Sequence, residues 1–207
     1  MIRIKGQNKA STVAEPSLEV HGAYALADNP ELWEPQRANN FEFVVSDLDN
    51  LVRPGVSPDS DNAKFDNAQK LLRLSVQSAT VPHFTQSAIE INRGNTSIKV
   101  AGRMSFGEGS IVIQDAIGAN TKEILMAWQR LSGDPETEKV GHMSDYYKDA
   151  WLIEYTPDYQ VVRQWRLKGC WISGITEDAY AQDSDSVKNV TATIQYNKGY
   201  IDNSDIV

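Results

Sequence analysis

One cysteine, Cys170, stands in 207 residues, which excludes an internal disulfide framework and leaves no thiolate cluster for a structural metal; its expected role is a small buried hydrophobe. Runs of about 18 apolar residues are missing, and Met1-Ile2-Arg3-Ile4-Lys5-Gly6 leads into polar sequence instead of an apolar h-region. Neither a membrane anchor nor a signal peptide is therefore expected, and synthesis is expected to be cytoplasmic. Basic charge is scarce: 20 Lys and Arg face 28 Asp and Glu, for a net charge of −8. That balance argues against tight nucleic-acid binding, which needs clustered cations on phosphates, but leaves room for transient, non-adhesive contact with DNA.

The sequence is equally short of catalytic patterns. His21, His83 and His142 are scattered, without the i, i+4 pairing of a helical metal site. Gly107-Glu108-Gly109 begins like a dinucleotide fingerprint, yet Val112 replaces the third glycine and a strand pattern follows where a helix is required. Gly55-Val56-Ser57-Pro58-Asp59 lacks the second glycine of a nucleophile elbow. Asp59, Asp61, Asp183 and Asp185 alternate like calcium ligands without the glycine and terminal glutamate that a calcium loop needs. The expectation is a chain that is not an enzyme, with no catalytic residue, no cofactor and no metal.

What is present is a core. Hydrophobic residues make up 41% and charged residues 23%, an ordinary globular balance. Residues 1–40 hold Pro16, Pro30 and Pro35 without sustained periodicity and read as an extended N-terminal arm, with Leu32, Trp33 and Phe41 as anchors. Residues 41–207 read as a β domain. Phe41 to Ser46 is its first strand, and 47–67 is a long loop rich in turn signals. Leu72, Leu74, Val76 and Ser78 alternate as a half-buried strand. Ile89 to Asn92 and Ile98 to Val100 flank Arg93-Gly94-Asn95 as a hairpin, and Gly102 and Gly109 bracket another short strand. Ile111-Val112-Ile113 fits a strand buried on both faces. One helix is expected at about 120–132, with Asn120 and Glu123 forming a capping box, Ile124, Trp128 and Leu131 on its apolar face, and Gly133 and Pro135 ending it.

Three strands follow: Ala150 to Tyr155, Val161 to about Ile172, and Val187 to Tyr196, with turns at Pro157-Asp158 and Gly174. Val161, Arg163, Trp165, Leu167 and Gly169 alternate with Gln164, Arg166 and Lys168, while Val190, Ala192, Ile194 and Tyr196 oppose Asn189, Thr191, Thr193 and Gln195. The Trp-x-Leu-x-Gly-x-Trp strand, the acidic loop and the Thr-rich strand ending in Gln195-Tyr196 resemble the C-terminal end of the tail tube proteins of contractile-tailed bacteriophages. The order of elements from Phe41 to Tyr200 is similar to that family as well.

The resemblance implies a mainly β fold, an antiparallel β-sandwich or barrel with one flanking helix. It also implies six subunits closing a ring, and rings stacking into a hollow tube that conducts genome DNA during ejection. The partners implied are the chain itself, tail sheath protein, baseplate and tape measure protein, with double-stranded DNA in transient passage and the virion tail as location. Arg93, Gly94 and Asn95, with Leu32 and Trp33, are the candidate inter-subunit contacts. Trp165, Leu167, Gly169, Ala192, Ile194 and Tyr196 are the candidate tube-wall residues. A tube protein of a contractile injection or secretion system is the neighbouring reading. A carbohydrate-binding β-sandwich using Trp33, Trp151 or Trp171 is the reading from another class.

Overall fold

The structure, a computed structural model, describes residues 34–56, 63–183 and 185–202. Contacts divide the chain into 1–37 and 38–207, and the second unit holds every strand and helix described below. Leu32 and Trp33 lie outside the described residues.

Nine antiparallel strands dominate: β1 Phe41–Val45, β2 Val76–Ala79, β3 Phe84–Arg93, β4 Thr96–Phe106, β5 Gly109–Gln114, β6 Lys148–Tyr155, β7 Val161–Glu177, β8 Asn189–Gln195 and β9 Lys198–Ile201. Among the described residues three helices accompany them: α1 Ala68–Ser75, α2 Thr121–Ser132 and the single turn α3 Met143–Tyr146. Among the described residues, seven strands form one sheet in the order β1-β6-β7-β8-β5-β2, with β9 beside β7, while β3 and β4 pair only with each other. The mainly β expectation holds.

The seventeen-residue β7 is the spine of the sheet: its first half pairs with β6 and β9, its second half with β8. A strand this long serves two neighbour sets only if it bends, and two bulges bend it. Between Leu167 and Cys170 it carries one more residue than β6 does between Lys148 and Ala150, with Gly169 at φ +68°, the left-handed conformation a glycine bulge uses. A Cβ at Gly169 would also lie 2.7 Å from Asn197 Nδ2. The bulge resets the alternation, so Leu167, Cys170 and Ile172 are buried and Gly169 drops out of phase with Leu167. The second bulge lies between Ile172 and Gly174, so Gly174 is inside a strand and not in the expected turn.

Helix α2 packs on β5 and β7, and α1 on β1 and β5, burying Ile124, Leu125, Trp128 and Leu72 against Val45, Ile111, Ile113, Ile172 and Val190. The Trp128 indole N–H donates to the Tyr146 carbonyl at 3.2 Å, so its one polar atom is satisfied inside the core. Asn120 does precede α2, but in the left-handed region (φ 51°) and without a side-chain cap bond. No capping box forms; the Thr121 hydroxyl donates to the Gln114 carbonyl instead.

Three further expectations need correction. Residues 68–75 are helical, so the strand expected from Leu72 begins only at Val76. Ala68, Leu71 and Leu72 repeat at helical spacing; Ala68 and Leu72 are buried, while Leu74 is 72% exposed. The 47–67 segment is not a mere surface loop: Leu48, Leu51, Ala63 and Phe65 enter the core, and Val52 bridges Lys64. Burying each large side chain is worth about 1.5–3 kcal/mol, enough to offset much of the entropy of ordering the loop. Finally, β5 is buried on one face, through Ile111 and Ile113, with Val112 only half-buried.

Charged side chains tie the sheet margins. Arg166 pairs with Asp149 (3.1 Å) and Asp202 (3.5 Å), fixing β9 to β7. Arg73 of α1 contacts Glu42 of β1, which also accepts from Tyr155 Oη at 2.9 Å. Glu177 takes Lys122 on one oxygen and Lys188 on the other, both at 2.7 Å. The Lys122 hydrogen bond, with that of Lys188 behind it, holds the Glu177 carboxyl below its ordinary value of 4.5. A depressed carboxylate contributes stability above its unfolded-state value and loses it as pH falls through the folded one. We therefore expect Glu177→Gln to melt below wild type at pH 7, and the gap to close as melts are repeated from about pH 4.5 downward. A gap that persists unchanged at pH 3 would contradict this pairing.

Candidate functional site: a projecting ribbon

Strands β3 and β4 make a ribbon joined by the two residues Gly94 and Asn95, with Arg93 facing Thr96. Gly94 has φ +60°, the positive angle that a type II′ turn demands at its first position, and such turns match the twist of the flanking strands. The expected hairpin is present and longer than its sequence signal, running from Phe84 to Phe106. Gly102, expected to border a strand, sits inside β4.

Period-2 alternation gives this ribbon two unlike faces. Ile89 opposes Val100 and Ile91 opposes Ile98 on one face; Glu90 opposes Lys99 and Asn92 opposes Ser97 on the other. The isoleucine face is uncovered: Ile89 is 53% exposed, Ile91 45%, Ile98 52% and Val100 40%. Nearer the body the phase reverses. Phe84, Phe106 and Met104 share the face that carries Glu90 at the tip, because a bulge between Gln86 and Ala88 gives β4 an additional residue. The root thus turns Phe106 to its own body against Tyr196, with Phe84 beside it still 54% exposed, while the distal half turns its isoleucines the opposite way.

Gly102 makes that bulge possible. A Cβ there would lie 2.5 Å from Ser87 Oγ and 2.8 Å from the Ser87 carbonyl oxygen, and the backbone atom cannot swing aside. Gly102→Val should therefore disrupt pairing in the distal ribbon while leaving the body folded. Amide exchange of Ile89–Val100 should accelerate at least tenfold, with β5 and β8 unchanged.

A lone two-stranded ribbon is marginal in water, and both ribbon strands also present unpaired outer edges. Apolar surface grouped in this way marks a contact site. Charge adds direction. Arg93, Lys99 and Arg103 against Glu90 alone leave the ribbon two net positive charges in a chain of net −8. The ribbon is thus complementary to the rest of its own chain, a condition for head-to-tail contact between copies.

The other sequence-derived candidates fall in the body. Arg93, Gly94 and Asn95 instead form the exposed ribbon tip. Trp165 is half-buried, its indole N–H donating to Glu154 Oε1 at 2.8 Å. Leu167, Ala192 and Ile194 are core residues, and Tyr196 is buried at the ribbon root. Of the indole rings offered as a sugar platform, Trp151 and Trp171 already have neighbours. The Arg166 guanidinium lies over Trp151 at 5.6 Å, and Tyr146 meets Trp171 at 67°.

A cleft of about 570 Å³ runs between the 54–55 turn, the end of α2 and β7; its lining includes Met126, Arg130, Trp171 and Ser173 but neither carboxylate nor histidine. Among the described residues no group of three His, Cys, Asp or Glu side chains could hold a metal, and no helix is long and apolar enough to cross a membrane. Burial pushes the Cys170 thiol up to about 12, so it stays protonated.

No protein-family model matches the sequence, and no curated protein matches it. Solved structures do resemble the fold. A chain of the anti-feeding prophage cap (the tube terminating cap) superposes with a TM-score of 0.58 at 12% identity, over 82% of this chain and 91% of that one. A chain of the PVC sheath-tube complex, from an extracellular contractile injection system in its extended state, gives 0.58 at 11%, over 87% and 97%. One from the PVC sheath/tube terminator gives 0.57 at 13%, over 82% and 97%. The fold is the one these injection-system chains share. At identities this low the shared fold resides in strand order and core pattern and not in common side chains, so the ribbon's chemistry must be argued from its own residues.

Proposed function

We propose that this chain is the structural subunit of a tail tube: copies close into rings through their ribbons, and rings stack head to tail into a hollow tube. The observation that carries the reading is the uncovered isoleucine face on a ribbon that the body itself does not cover. A second copy is the occupant that accounts for it, because ribbon and remaining chain are opposite in charge and a heterologous contact that repeats closes a ring or propagates a filament. The Arg93-Gly94-Asn95 tip would then reach the neighbouring subunit or ring. Six copies per ring, sheath and baseplate as partners, and a tail as location accompany this reading.

Two cargoes suit it. Net charge −8 favours a conduit that DNA slides through without adhering, the bacteriophage reading. The fold likeness to injection-system chains favours a tube serving an injection device. Negative-stain electron microscopy of the purified chain tests the common core: rings or tubes of uniform diameter are expected, and a strictly monomeric particle at high concentration would overturn it. A basic lumen in the reconstructed tube would sink the DNA reading and leave the other.

A further inference from the structure

Both strands of the ribbon leave the body at one side chain. The buried Tyr196 hydroxyl accepts from the His83 backbone N–H at 3.2 Å and donates to the His83 carbonyl at 3.3 Å. Its ring meets Phe106 at 6.2 Å and 60°, and Phe106 in turn meets Phe84 at 6.1 Å. His83 precedes β3 and Phe106 ends β4, so a single phenol holds both roots. The strap leading into β3 is seated on glycines. A Cβ at Gly199 would lie 2.6 Å from Pro82 Cβ, and one at Gly107 2.8 Å from His83 Nε2. Upstream, the Thr80 N–H donates to the Ser110 carbonyl at 2.9 Å. The body, through β5 and the β8–β9 corner, thus dictates where the ribbon starts.

We propose that Tyr196 is a positioning residue for assembly: it latches the ribbon root so that the ribbon leaves each subunit at one preset angle before a second copy arrives. The proposal rests on the tube-subunit reading and adds the device that makes the docking face usable. A ten-residue strand at about 3.3 Å per residue is a lever of roughly 30 Å, so a swing of about 10° at its root moves the tip by about 5 Å. That displacement is the spacing of neighbouring strands, enough to miss a partner's contact. Fixing the angle in the free subunit removes an ordering cost that every contact in the tube would otherwise carry.

Tyr196→Phe keeps the ring and deletes both hydrogen bonds. In the monomeric full-length chain at low concentration, β3 and β4 amides should exchange at least tenfold faster, with β5 and β8 amides unchanged. The melting midpoint should stay within a few degrees, and tube growth followed by light scattering should slow at least tenfold. Gly199→Ala, whose Cβ would lie 2.6 Å from Pro82 Cβ and 3.2 Å from Tyr196 Cε2, wedges the phenol and the strap apart; it should produce both changes and stands in should Tyr196→Phe fold poorly. Unchanged ribbon exchange in both variants overturns the latch; faster exchange with wild-type tube growth overturns its role in assembly. If the wild-type chain itself forms no tube, the tube-subunit reading fails, and the positioning role with it, whereas exchange in the variants still decides whether Tyr196 holds the ribbon.

Discussion

Ile91→Asp is expected to leave the subunit folded and to abolish its polymerisation. Ile91 is 45% exposed and faces Ile98 across the ribbon, so in the free subunit the carboxylate meets water and the change in stability stays within about 0.5 kcal/mol. Once a second copy covers the isoleucine face, the same carboxylate loses its hydration without a partner, at a cost of several kcal/mol per contact, repeated at every subunit of the tube. Melting curves should superimpose within about 2 °C, while electron micrographs show rings and tubes for wild type and single particles for the variant. Asn92→Asp, on the opposite face, serves as the control and should still assemble. Wild-type tubes from Ile91→Asp would remove the ribbon from the contact.

The second large effect is on folding. Trp128 is fully buried in the core beneath α2, with its indole N–H bonded to the Tyr146 carbonyl. Trp128→Ala removes the largest side chain of the core and opens a cavity at a cost of about 3–5 kcal/mol. In a domain of this size that corresponds to a fall in melting temperature on the order of 10 °C, measurable by calorimetry. Trp128→Phe, which keeps most of the volume and loses the hydrogen bond, should fall by less than half as much. Because the ribbon is untouched, tubes should still form from Trp128→Ala well below its melting point. A melting temperature equal to wild type would mean that the helix is not seated as described.

Much of this was legible in the sequence because it is local. Strict alternation through Trp165 and Leu167 and through Ala192 and Ile194 points to two strands, and of the residues it places on their apolar faces Leu167, Val190, Ala192 and Ile194 are buried. Asn120 to Gly133 bracketed α2, and the glycine at the Arg93-Gly94-Asn95 turn marked the hairpin. Residues 72–75 suggest a strand but are helical, because a short apolar run satisfies period 2 and period 3.6 almost equally, and burial of Ala68 and Leu72 beside β1 and β5 selects the helix. Gly169 was placed in phase with Leu167 because alternation carries no mark of a bulge; only the ladder between β6 and β7 does.

The sequence by itself determined β1, the β3–β4 hairpin, β5 to β8 and the main helix, since each follows from dihedral preference and side-chain period within a few residues. Only the tertiary structure decided that β3 and β4 pair with each other alone, that the Gly102 bulge turns the isoleucine face away from the body, and that Tyr196, some ninety residues later, clamps the ribbon root. The physical reason is that strand partners and hydrogen-bond latches are chosen by closing long loops and packing one core, and neither choice is encoded in the period of any single segment.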